Sequence, residues 1–291
     1  MKIGTLGTFA VKRTQLSLAR LAKQLRRASE QPQDAEAIHD LRVSIRRYLQ
    51  CLRLFQDLFD ESIAKTIRKR LRQLMKLLGK TRNCDIAIEL LLLAELPKTH
   101  SLVAHLRERR DEAQHKLLKQ LTKKRWKNFA SNSRLQLRTR KGVAGPWRID
   151  MDVASNASAF LPQMCDEFFS AGSAAIEAKE DYKLLHQFRL RGKRLRYTLE
   201  LFRNCYSRGM EQRLRQLRGL QDKLGEINDC LSTMELIARD AVAVRQVQSI
   251  LAQRDRALTH HWQQHFPPGT REKWNRWLSR PIPAVTEFCN G

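Results

Sequence analysis

Carboxylates are scarce in this 291-residue chain: 30 Asp and Glu stand against 55 Lys and Arg, a net charge of +25 at neutral pH. Self-repulsion on that scale disfavours a compact state unless something anionic offsets it, so the deficit points to a polyanionic partner. Glycine and proline are also sparse, at 12 and 8 residues. No convincing run of alternating β-branched residues occurs, which leaves helix formers to dominate. Aromatic residues make up only 7%, a poor supply for the stacking platforms by which single-strand binders hold nucleobases. The six cysteines (Cys51, Cys84, Cys165, Cys205, Cys230, Cys289) include no Cys-x-x-Cys pair, and the opening residues 1–13 lack a long apolar run. Reduced thiols in a cytoplasmic protein are therefore expected. The most apolar stretch, around Ile86 to Ala94, is interrupted by Glu89 and is too short to cross a bilayer, so no membrane partner is expected.

The charge is uneven. Residues 1–150 hold 34 basic and 14 acidic residues, against 21 and 16 in residues 151–291. Periodicity predicts helices near 14–29, 35–59, 62–79, 84–95 and 100–129, then an irregular basic segment over 131–150, then helices near 153–178, 182–205, 209–224, 229–238, 240–265 and 271–279. Asp34, Ser62, Asn83 and Asp229 each stand where a helix cap belongs.

Two blocks recur in order. IHDLRVSIRRYLQCLRLF (38–55) aligns without gaps to LHQFRLRGKRLRYTLELF (185–202) at an offset of 147, and LRQLMKLLGKTRNC (71–84) aligns to LRGLQDKLGEINDC (217–230) at 146. The chain reads as a duplicated helical unit: an N-terminal repeat over 10–130, a basic linker over 131–150, a C-terminal repeat over 151–266 and a tail with a short helix over 267–291. Each repeat has enough helices for an antiparallel four-helix bundle, so the expected architecture is all-α, with two such bundles.

At 100° per residue, Ile38, Leu41, Ile45, Leu49 and Leu52 form one apolar arc, and His39, Arg42, Arg46 and Arg53 fall within roughly 60° of one another on its flank. The second copy repeats this: Leu185, Phe188, Leu195, Leu199 and Phe202 make the arc, with His186, Arg189, Lys193 and Arg196 beside it. Arg47 and Arg194 point elsewhere. Cations on a flank are partly enclosed by neighbouring helices and repel one another unless an anion bridges them. From His39 to Arg53 the stripe spans about 21 Å, which suits a linear phosphate polymer held by guanidinium forks.

Secondary candidates are weaker. Arg72 and Lys76 belong to a basic face with Lys65, Arg68 and Lys69; the repeat keeps Arg218 but places Asp222 opposite Lys76. Lys116, Lys119, Lys123, Lys124, Arg125 and Lys127, followed by Arg134, Arg138, Arg140 and Lys141, form a basic run suited to extending an anion path or to plain solvation. His261 and His265 have the spacing of a metal pair but lack a third ligand, so no metal is expected. Trp262, Trp274, Trp277 and Phe288 read as packing for a terminal helix.

The segments His39-Asp40-Leu41-Arg42 through Arg46-Arg47, Leu78-Gly79-Lys80 with Arg82-Asn83-Cys84-Asp85, Leu185-His186 through Lys193-Arg194-Leu195-Arg196-Tyr197, and Leu224-Gly225-Glu226-Ile227-Asn228-Asp229 resemble the CHAD domain, a histidine-bearing helical module. The resemblance covers roughly residues 10–265. It implies two pseudo-symmetric helical bundles enclosing a basic cleft, binding of inorganic polyphosphate, and His39, Arg42, Arg46, His186, Arg189 and Lys193 as functional positions. Asn83 departs from the pattern, where an Asp is usual. CHAD modules are similar to partners of triphosphate tunnel enzymes, whose Glu-x-Glu-x-Lys strand signals hydrolysis. No Glu-x-Glu occurs here, nor a Gly-x-x-x-x-Gly-Lys-Ser/Thr loop, so neither catalysis nor a cofactor is expected. The expectation is a non-catalytic polyphosphate binder, with polyphosphate granules or a polyphosphate-metabolising enzyme as candidate companions. Nucleic-acid backbone is the rival ligand.

Overall fold

The computed structural model describes residues 5–123, 126, 128–129, 133, 148, 151–178, 181–206 and 209–282. Among these the protein is all-α, with nine α-helices packed in pairs and no sheet. They are α1 (Leu6–Glu30), α2 (Ala35–Leu54), α3 (Glu61–Leu93), α4 (Ser101–Leu121), α5 (Val153–Glu177), α6 (Tyr182–Leu201), α7 (Met210–Leu236), α8 (Ala241–His265) and α9 (Thr270–Leu278). No described helix is long and apolar enough to cross a membrane. Most of the basic segment over 131–150 lies outside the described residues, as do Lys124, Arg125, Lys127, Phe288 and Cys289. The five described cysteines are buried and form no disulfide with one another; burial pushes the Cys51 thiol up to about 11.

The two matched helices share their bounds. α2 starts after Asp34, whose carboxylate accepts from the Glu36 N–H, and ends at Phe55. α6 starts after Asp181, which accepts from the Lys183 and Leu184 N–H groups, and ends at Phe202. Each is 20 residues long. A single 3-10 turn follows each, at Gln56–Leu58 and Arg203–Cys205. Each of these positions recurs at the 147-residue offset of the sequence blocks.

Three expected caps are corrected. The segments read as separate helices near 62–79 and 84–95 are one helix of 33 residues, α3. Its cap is Asp60, which accepts from the Ile63 N–H at 3.1 Å and from the Ser62 hydroxyl at 2.6 Å; Ser62 is already inside the helix. Asn83 also sits within α3, and Asp229 within α7. Burial of Leu78, Thr81, Cys84 and Ala87 carries α3 through Gly79. A helix-interior glycine costs about 1 kcal/mol against alanine, less than burying several apolar side chains returns. α1 begins eight residues earlier than the expected 14, its first N–H held by the Met151 carbonyl.

The chain divides into two compact units, one of residues 1–11, 142–226 and 254–291, the other of residues 12–141 and 227–253. In the second unit, α3 packs along α4 and against α2, burying Leu41, Ile45, Tyr48, Leu52, Ile67, Leu71, Leu74 and Leu78. Arg27 of α1 pairs with Asp34 and Asp40, both at 3.0 Å, which ties α1 to the start of α2. Of the expected arc, Leu41, Ile45 and Leu52 are fully enclosed, while Ile38 and Leu49 are half-buried.

The first unit is built on aromatic rings. Phe168 and Phe169 of α5 meet Phe188 of α6, Trp262 and Phe266 of α8, and Trp274 of α9, with centroids 5.2–6.4 Å apart. The tryptophans thus pack the terminal helix, as their spacing implied. Arg213 lies over Trp277 at 4.0 Å, and Asp166 of α5 accepts from Arg271 and Asn275 of α9 at 2.5 and 2.8 Å. Gly172 lets α8 approach α5, because a Cβ there would stand 2.3 Å from the Trp262 ring.

Two outcomes test this packing. Gly172→Ala should lower stability by about 1–3 kcal/mol through overpacking, despite alanine's better helix propensity. Asp60→Ala should cost about 1 kcal/mol through loss of the cap, whereas Asn83→Ala should change stability by under about 0.5 kcal/mol, as exposed substitutions do. Urea titration of each variant checks both.

Candidate anion-binding site

Arg42 is the most constrained cation of the predicted stripe. Its Nη1 donates to the Leu78 carbonyl of α3 at 2.7 Å, an acceptor that satisfies a donor without cancelling the charge. Burial pushes its pKa down to about 10, and the nearby Arg46 and Arg82 push the same way, offset in part by Asp229. Among the described residues no carboxylate forms an ion pair with Arg42. Asp40, the acidic residue nearest in sequence, is engaged by Arg27 instead. Arg46 is half-buried, and its Nε is shut off from solvent without an acceptor. Arg42, Arg46 and Arg82 thus lie near one another, the exposed Arg82 reaching Glu89 at 3.7 Å while Arg42 has no ion pair among the described residues. Guanidiniums so placed suit a multiply charged oxyanion, which offers acceptors and cancels mutual repulsion.

The other predicted residues differ in their placement. His39, Arg53, Arg72 and Lys76 are exposed, as are His186 and Arg218. Arg189 and Lys193 are half-buried on α6, matching Arg42 and Arg46 on α2. Arg196 is engaged within its own helix, paired with Glu200 at 3.3 Å and lying 4.5 Å over the Tyr197 ring. Arg218 donates to the Leu214 carbonyl and lies 3.9 Å from Glu211. Arg194, expected to point away, does so: it reaches Glu167 of α5 at 3.4 Å, beside Arg191. Arg82 was not singled out as a site residue, because a wheel drawn for α2 cannot see which side chain α3 contributes. Arg254 was likewise missed; it donates to the Glu226 carbonyl at 2.8 Å.

The His261 and His265 rings lie 4.3 Å apart, and no group of three metal-ligating side chains occurs among the described residues. The His261 Nε2 is enclosed without an acceptor, against Gly219, where a Cβ would stand 3.1 Å from the ring. Burial, with His265, Lys223 and His260 nearby, lowers the His261 pKa. A histidine whose folded pKa lies below its unfolded value, about 6.5, contributes full stability above that value and loses it as pH falls through the window beneath. Melting temperature should therefore fall from pH 7 to pH 5, and fall less in His261→Gln.

The CHAD domain family matches the chain over residues 13–238, so a helical module with clustered arginines takes a family identity: the chain belongs to the CHAD domain family. The fold resembles two solved structures. The CHAD domain from the plant Ricinus communis aligns with a TM-score of 0.64 at 18% identity, over 97% of this chain and 94% of that one. PptA from Streptomyces chartreusis aligns with a TM-score of 0.66 at 18% identity, over 90% of this chain and 99% of that one. No curated protein matches the chain.

Proposed function

We propose that this protein binds inorganic polyphosphate along basic stripes on α2 and α6, without catalysing its turnover, and that the chain arose as a duplicated helical unit. The observation that carries the reading is Arg42, half-buried beside Arg46 and Arg82 with no ion-paired carboxylate among the described residues. A string of phosphates offers anionic acceptors to Arg42 and to the enclosed Arg46 Nε. His39, Arg42, Arg46 and Arg53 on α2, and His186, Arg189, Lys193 and Arg196 on α6, are the contacts assigned to it. Arg72, Lys76 and Arg218 are the outer ones. Membership of the CHAD family supports the reading, since CHAD domains are associated with polyphosphate and are generally non-catalytic binding modules. The shared bounds of α2 and α6 support the duplication.

Polyphosphate should raise the melting temperature at low salt, because a ligand that binds only the folded state stabilises it by mass action, and the gain should shrink steeply as salt rises. The decisive comparison matches the change in net charge between two double variants. Arg42→Ala with Arg189→Ala should cost at least about 3 kcal/mol of binding, the worth of two charge-assisted hydrogen bonds. Arg47→Ala with Arg194→Ala should cost under about 1 kcal/mol, since Arg47 is exposed and Arg194 is turned to Glu167. Calorimetric titration at matched salt, on variants first shown to be folded, distinguishes a site from a diffuse field; equal losses would favour a general polyanion binder, which competition with RNA and duplex DNA would reveal.

A further inference from the structure

Five described glycines lie inside helices well away from their ends, and two have a visible steric reason. A Cβ on Gly172 would strike Trp262 at 2.3 Å and one on Gly219 would stand 3.1 Å from His261, whereas one on Gly192 would only make ordinary contact with Phe168 at 3.5 Å. Gly79 and Gly225 have none: among the described residues a Cβ on either meets no atom within 4 Å. Glycine in a helix interior is the poorer choice against alanine, because it costs more backbone entropy. Yet it stands at matched positions of the two sequence blocks, in Leu78-Gly79-Lys80 and Leu224-Gly225-Glu226.

Each of these glycines also has an arginine from another helix beside it, anchored on the main chain. Arg42 of α2 donates to the Leu78 carbonyl at 2.7 Å, in the peptide bond that joins Leu78 to Gly79. Arg254 of α8 donates at 2.8 Å to the carbonyl of Glu226, the residue after Gly225. At Gly79 the guanidinium is Arg42, held among Arg46 and Arg82, and the enclosed Arg46 Nε lacks an acceptor. A guanidinium fixed at the level of the backbone can be reached by a bulky oxyanion only if the adjacent helix surface carries no side chain. Glycine provides such a surface, as it does where backbone must come close to a ligand.

We propose that Gly79 and Gly225 are contact positions of the anion site, where the phosphate chain lies directly against bare helix backbone and reaches Arg42 and Arg254. The proposal rests on the polyphosphate reading above and adds that each repeat holds its ligand through a glycine–arginine pair as well as through a stripe of charge.

The test uses substitutions that leave the charge untouched. Gly79→Ala, Gly225→Ala, their double variant and Gly79→Leu would be measured for melting temperature without ligand, and for affinity toward long-chain inorganic polyphosphate at one salt concentration. The alanine variants should melt at or above the parent temperature yet bind more weakly, by about tenfold in the double variant, with Gly79→Leu weaker than Gly79→Ala. Gly172→Ala, where Trp262 fills the space, serves as the control that loses stability. Unchanged affinity in the alanine and leucine variants would overturn the proposal, and so would a lowered melting temperature in Gly79→Ala or Gly225→Ala, which would mean that the fold itself uses the space. Arg42→Ala with Arg189→Ala separates the two readings: if that variant loses affinity while the glycine variants do not, the polyphosphate site stands and only the glycine contact fails.

Discussion

A guanidinium taken partly out of water must find acceptors, and in a chain where cations outnumber carboxylates so heavily several of those acceptors are peptide carbonyls. Arg42 donates to Leu78, Arg68 to Leu52, Arg254 to Glu226 and Arg213 to Gly209. A carbonyl meets the hydrogen-bonding need of the donor but leaves its full charge in place. Helices can therefore pack around arginines without neutralising them, and a positive field survives folding. Had carboxylates played this part, as Glu167 does for Arg191 and Arg194, the same residues would have made a stable but electrically quiet surface. The charge of Arg42, held on the Leu78 carbonyl, depends on this difference.

The sequence carried this site unevenly. The starts of α2 and α6 were legible because Asp34 and Asp181 are capping residues at the head of a strong helical period, while the expected ends at 59 and 205 overran Leu54 and Leu201 by the 3-10 turns that follow. The flank position of Arg42 and Arg46 followed from the wheel, and both are half-buried. Arg53, Arg72 and Lys76 are exposed, since a wheel gives an angle but not the height at which a neighbouring helix ends its cover. The engagement of Arg196 was readable in principle: Glu200 stands four residues on, the spacing at which helical side chains meet. Arg82 and Arg254 could not have been assigned, because which side chain another helix brings to α2 or α7 is decided by packing between elements.

Two of the misplaced caps, Asn83 and Asp229, share one cause. Gly79 followed by Asn83, and Gly225 followed by Asp229, resemble a helix stop and a new start, and local chemistry alone supports that reading. The fold overrides it by burying Thr81, Cys84 and Ala87 in line with the residues before the glycine. Local preference yields where the apolar face on both sides remains continuous.

The C-terminal end of the chain separates what is shared from what is required. The family match stops at residue 238, yet Trp262 and Phe266 of α8 and Trp274 of α9 cover Phe168, Phe169 and Phe188, which lie well inside the matched region. A fragment cut where the family resemblance ends would retain every residue of the charged stripes and lose the rings that cover Phe168, Phe169 and Phe188. It would present an open aromatic face to solvent, and its first property in solution would be self-association, so the smallest piece of this protein that behaves as an independent body is set by its tryptophans rather than by its arginines.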